Sequence, residues 1–65
     1  MNHPFKLGEY VKFESLEGGI WRGVVSIVSE RKIGVMSHGY INALWPKELT
    51  PITDEGEAML MKLEN

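Results

Sequence analysis

The chain of 65 residues has no cysteine, only two histidines and no long hydrophobic run. Without cysteine it can form neither a disulfide nor a thiolate-bound metal site. Its two histidines are far apart in sequence, so we expect neither a metal site nor a cofactor. The longest apolar run, residues 58–61, has four residues. A membrane-spanning helix needs about 20, so no membrane association is expected.

Positive charge is also scarce. Residues 1–50 carry six basic and five acidic side chains, or +1, and residues 51–65 carry one basic and four acidic side chains, or −3, which together give the net charge of −2. Such a balance argues against non-specific phosphate binding. Residues 1–6 are not followed by the apolar run of a secretory signal. Together with the lack of cysteine, this leads us to expect a cytoplasmic protein.

Hydrophobic alternation predicts five short strands. Val11 and Phe13 alternate with polar residues, as in a half-buried strand. The longest strand is apolar on both faces, so we expect it to be buried on both sides and to kink at Gly23. Pro46 favours a single 3₁₀ turn, and Pro51 restricts the last strand to an edge. The expected strands are residues 9–14, 20–29, 32–37, 40–44 and 50–52.

The last residues predict a short amphipathic helix. We expect it over residues 54–64, with Thr53 as its N-cap. Met59, Leu60 and Leu63 share one face and are candidates for contact with a partner or a second copy. Because so short a helix is marginal in water, it must pack on the open end of its own sheet or on another chain.

Two spaced patterns carry a resemblance to a known fold. Gly8 and Val11 match "G-x-x-V", and Gly23, Val25 and Val28 match a following "G-x-V-x-x-I" with valine in the last place. The chain resembles the KOW/Tudor-like branch of the SH3-like barrels in these residues. The patterns encode barrel geometry rather than chemistry, so fold and function have to be argued separately.

The resemblance covers residues 8–39, about half of the chain. It implies a mainly β fold, a five-stranded SH3-like barrel with a 3₁₀ turn and a short C-terminal helix. We expect one domain over residues 1–65, with the barrel at about 7–52. The resemblance also implies a non-enzymatic module that binds RNA, DNA or protein. The chain departs from the nucleic-acid-binding members in its first loop, where Glu17 replaces a basic residue.

Aromatic and basic residues are the candidates for binding. Trp21, Tyr40 and Trp45 could line a groove between the first loop and the 3₁₀ turn. Alternatively, Trp21 belongs to the core. A basic cluster is the second candidate and could contact phosphate or an acidic protein surface. Its members are Arg22, Arg31 and Lys32. The alternative is that these residues are only solvated charges at the tip of a hairpin.

No residue pattern indicates catalysis. A nucleophile needs a base within hydrogen-bond reach, and Ser37 and His38, as neighbours on a strand, are expected to point apart. We therefore expect no catalytic residues and no enzymatic activity.

Three functions follow from these features. The first is a protein–protein interaction module with an aromatic groove and a basic hairpin that steers an acidic partner. The alternative is a KOW/Tudor-type nucleic-acid-binding module. A weaker alternative is an inhibitor that acts through its acidic tail helix. Dimerisation through that helix is a further hypothesis.

Overall fold

Five antiparallel strands and one helix make up the part of the chain that the structure describes. The computed structural model describes residues 5–64, with side chains as far as residue 61. The elements are β1 (Tyr10–Glu14), β2 (Ile20–Val28), β3 (Ile33–Ser37), β4 (Tyr40–Leu44), a 3₁₀ turn (Pro46–Glu48), β5 (Thr50–Pro51) and α1 (Glu55–Glu64). The mainly β fold, the 3₁₀ turn and the C-terminal helix predicted from the sequence are confirmed.

The strands form one sheet in the order β4-β3-β2-β1-β5. Short β5 pairs with β1, where Val11 lies opposite Pro51. The sheet is not closed, because β4 and β5 are its two edges. It is compatible with an SH3-like fold, while the closed barrel remains a prediction.

The core lies against one face of the sheet. Alternation in β1 turns Val11 and Phe13 inward, and alternation in β3 does the same for Ile33 and Val35. Together with residues from β2 and the loops they form one cluster: Phe5, Val11, Phe13, Val25, Ile33, Val35 and Leu49. None of these comes from α1.

The expected burial of β2 on both faces is wrong. Val25 is buried, but Ile20, Ile27 and Val28 are exposed. The sheet packs its core on one face only, so the second apolar face of β2 has no second sheet to cover it. The register shifts between Val25 and Ile27, which places an irregularity two to four residues beyond Gly23.

Gly23 permits a close approach between strands. A Cβ added there would collide with the main-chain oxygen of Met36 and lie 2.6 Å from Val35 Cγ1 and 2.9 Å from Ser37 Cβ. Glycine at this position is therefore required by the packing of β3 across β2. The register is regular at Gly23 and shifts farther along β2, between Val25 and Ile27.

A two-residue turn joins β3 and β4. His38 has φ 54° and Gly39 has φ 80°, the positive values that a type I′ hairpin turn requires at both central positions. The turn brings Ser37 opposite Tyr40.

Helix α1 begins with a cap from Asp54, not from Thr53. The main-chain N of Glu57 donates to Asp54 Oδ1 at 2.9 Å, and the N of Ala58 donates to the Asp54 carbonyl at 3.0 Å. Aspartate accepts the exposed N–H groups of a first turn at least as well as threonine does. The helix therefore begins one residue later than predicted.

The helix turns a different face to the sheet from the one the apolar pattern predicts. Met61 is buried, whereas Met59 and Leu60 are exposed. The side chain of Leu63 lies outside the described residues. In the stretch that the structure describes, no helix has the length and apolarity to cross a membrane.

Candidate binding groove

An open groove of about 500 Å³ lies between the loop after β1, strand β4 and the 3₁₀ turn. Trp21, Tyr40 and Trp45 all line it, so the structure brings together the three aromatic residues singled out in the sequence. We call this surface the aromatic groove. Its other side chains include Leu16, Leu44, Lys32 and three glutamates, Glu14, Glu17 and Glu48.

Trp21 is held between the core and the β3–β4 turn. Its ring meets Phe13 edge to face, with 6.2 Å between ring centroids, and stacks on His38 at 3.9 Å with 21° between the planes. Both contacts fix the orientation of a large ring that is only partly buried. Trp21 thus belongs both to the edge of the core and to the wall of the groove.

Ser37 and His38 lie closer together than the sequence suggests. Ser37 Oγ is 3.0 Å from His38 Nδ1, because the positive φ of His38 turns its ring back over the strand end. Ser37 is only 2% exposed, and its hydroxyl donates to the Arg22 carbonyl at 2.6 Å. A hydroxyl has one hydrogen, so Nδ1 must donate in this pair. The hydrogen bond thus runs from His38 to Ser37 and stabilises the turn. A base that activates a nucleophile would instead accept the hydrogen of the hydroxyl.

Trp45 is positioned by the 3₁₀ turn that follows it. Its main-chain N donates to Glu48 Oε2 at 2.8 Å, and its carbonyl accepts from the N of Glu48 at 2.9 Å. Lys32 Nζ lies 4.9 Å from the ring centroid, within the range of a cation–π interaction. Trp45 is 43% exposed, so it keeps a surface available to a ligand.

The groove is acidic at its rim. Three carboxylates and one ammonium group line it, and that ammonium group already faces the Trp45 ring. Leu16 at the tip of the first loop is fully exposed and adds apolar surface. The arrangement suits a ligand that combines apolar groups with positive charge.

The predicted basic cluster does not assemble on one surface. Arg22 Nε donates to Glu57 Oε2 at 2.8 Å, and Lys12 Nζ lies 3.5 Å from the same oxygen. The hydrogen bond from Arg22, with the nearby charge of Lys12, lowers the pKa of Glu57. Arg31 lies exposed in the β2–β3 turn, while Lys32 lines the groove.

Two residues of the groove are not predicted from the sequence. Glu14 and Glu48 carry no signal as groove residues until β1 and the 3₁₀ turn are placed side by side. Glu48 does have a local signal, since an acid three residues after the first residue of a turn often bonds back to it. Within the described part of the chain, no group of three or more potential ligand side chains could hold a metal ion; His3 lies outside that part.

No family model, curated protein or solved structure matches the chain. The function therefore has to be argued from the fold and the groove alone. They describe a small, mainly β protein with an open aromatic groove.

Proposed function

We propose that this protein is a non-enzymatic binding module that takes an extended segment of a partner protein in its aromatic groove. The observation that carries the proposal is the convergence of Trp21, Tyr40 and Trp45 on one open surface. Tryptophan and tyrosine contribute most to binding hot spots, because they bury much area at little entropic cost.

Charge favours a partner segment that is basic and apolar. Glu14, Glu17 and Glu48 surround the aromatic rings, and like charges repel a phosphate backbone. The same carboxylates would attract lysine or arginine side chains of a peptide. The steering of an acidic partner by the hairpin finds no support at this surface, since Lys32 is its one basic lining residue.

Substitution of Trp45 by alanine tests the proposal. We expect Trp45→Ala to weaken capture of the partner on the order of 30-fold, as for a hot-spot residue, while the melting temperature changes little. Ile41→Ala is the matched control, because Ile41 is 44% exposed against 43% for Trp45 but lies on the opposite face of the sheet. It should bind as the wild type does.

The measurement is an affinity pull-down from native lysate, with and without nuclease, followed by titration of the captured protein. Loss of the captured material on nuclease treatment would favour the nucleic-acid alternative. Equal capture by Trp45→Ala and Ile41→Ala would show that the groove is not the binding surface. Glu17→Gln should also weaken binding, most clearly at low salt, because rim charges act mainly on association.

A further inference from the structure

One side of the aromatic groove is formed by the edge strand β4. Asn42, Ala43 and Leu44 line the groove, and among the residues that the structure describes no further strand pairs with β4 on its outer side. An edge strand exposes main-chain N–H and carbonyl groups with which another strand can pair. The groove therefore borders main-chain groups as well as aromatic rings.

The register of the β3–β4 hairpin determines which main-chain groups face the edge. Because the turn has two residues, Ser37 and Tyr40 on either side of it exchange both of their main-chain hydrogen bonds. Such pairs alternate along an antiparallel ladder, so Asn42 also directs its main chain at β3, whereas Ile41 and Ala43 direct theirs outward. In the described part of the chain, no other segment bonds to the main chain of these two residues.

The 3₁₀ turn determines where this free stretch ends. At the next outward-facing position, the N of Trp45 already donates to Glu48 Oε2 at 2.8 Å, and its carbonyl accepts from the N of Glu48 at 2.9 Å. The main chain of β4 is thus available at residues 41–43, and the exposed ring of Trp45 lies just beyond it. A short extended segment can reach both.

The groove-facing side chains of β4 indicate what such a segment carries. Tyr40, Asn42 and Leu44 alternate along β4 and line the groove. In a strand added beside β4, every second side chain would lie over the same surface. Because the carboxylates of Glu17 and Glu48 line that surface, lysine, arginine and apolar side chains suit these positions.

We propose that the partner segment binds by adding to β4 as a further strand, with its main chain hydrogen-bonded to Ile41 and Ala43 and alternate side chains in the aromatic groove. Because the added strand occupies this groove, its presence rests on the proposed function. The partner segment must then be extended and free of proline where it pairs. The Ile41 side chain lies on the opposite face of the sheet, so Ile41→Ala retains the N–H and carbonyl that pair.

Amide hydrogen exchange of the wild-type chain, followed by NMR, tests the added strand without any substitution. The probe is an eight-residue peptide in which lysine and valine alternate. At saturation we expect exchange of the Ile41 and Ala43 amides to slow at least about tenfold, because each N–H gains a hydrogen bond. Binding of the probe with no slowing at either amide would overturn the proposal.

Proline at position 43 tests the same contact by affinity. Ala43→Pro removes an N–H that points to the edge, so it breaks no hydrogen bond to β3. Ala43→Val is the matched variant, because it adds bulk at the same position and retains the N–H. We expect Ala43→Pro to bind the peptide about tenfold more weakly than Ala43→Val. Equal affinity of the two variants would contradict the added strand.

The remaining outcomes separate the added strand from the groove itself. Binding that is weakened by Trp45→Ala but leaves the Ile41 and Ala43 amides unprotected would retain the groove and reject the strand. No binding of the peptide to the wild type would count against both. Protection of these amides without peptide, rising with protein concentration, would identify a second copy of the chain as the occupant. Tighter binding of hexathymidylate than of the peptide would overturn the assignment to a protein segment.

Discussion

At the scale of single residues, Gly23 shows how the absence of a side chain determines the packing of two strands. The space that a Cβ would need is already filled by Val35 and Ser37 and by the main chain of Met36. The neighbour with the hardest contact is backbone, which cannot move aside as the end of a flexible side chain can. The position therefore tolerates no larger residue without a shift of β3.

We expect Gly23→Ala to lower the free energy of unfolding by about 2–3 kcal/mol, since overpacking a filled interior costs that much. Urea denaturation measures the change. Ser26→Ala is the control, because Ser26 is exposed in the same strand and should change stability by less than about 0.5 kcal/mol. An unchanged urea midpoint for Gly23→Ala would show that β3 can move aside at little cost in stability.

The sequence singles out Gly23 but does not reveal how closely β3 approaches it. An interior glycine in a strand indicates either a kink or a close approach, and only the placement of β3 decides between them. Ser37 and His38 show the same limit. Strand alternation predicts that they diverge, but the positive φ of His38 is a property of the turn that alternation does not report.

At the scale of elements, α1 is oriented differently from what its apolar pattern predicts. Its inward side carries Glu57 and, one turn later, Met61. The apolar pattern cannot predict this orientation, because the rule of amphipathic helices assumes that the most apolar face turns inward. Here the ion pair of Glu57 with Arg22 and Lys12 and the burial of Met61 lie on the same side of the helix.

We expect docking of α1 to weaken in acid. The pKa of Glu57 is lowered from its ordinary 4.5 in the folded state, so its contribution is complete above that value and is lost as the pH falls through the lower folded pKa. Unfolding followed by helical circular dichroism should show this loss below about pH 4.5. In Glu57→Gln the stability should change less with pH over the same range, whereas Glu55→Gln, at an exposed position of the same helix, should retain the pH dependence of the wild type. Identical slopes in all three chains would contradict the role of Glu57.

At the scale of the whole molecule, we expect the sheet to fold without the helix. The core cluster is built from the strands and the loops, so a chain that ends after Ile52 should still unfold cooperatively. Loss of buried Met61 should lower its stability by roughly 1.5–3 kcal/mol, as measured by denaturant titration. Met59→Ala in the full chain, at an exposed position, should have little effect. Complete unfolding of the truncated chain would show that α1 is part of the folding unit.

Strand positions and the three groove aromatics are predictable from local patterns, because alternation and turn residues act over a few neighbours. The acidic rim is not, since Glu14 and Glu48 come together only when distant segments pack. Charge at a surface is a property of the assembled molecule, and the partner that we propose changes with it from acidic to basic.

The two edges of the open sheet differ in a way that limits how copies of the protein can join. Edge strand β4, Tyr40–Leu44, has five residues with neither charge nor proline, whereas β5 has two residues, one of them Pro51. Charges and prolines are what block strand addition at an edge. The molecule thus has one receptive edge and one blocked edge. If two β4 edges met, they would form a closed pair, because the short, proline-containing β5 offers no second edge of the same kind for further addition.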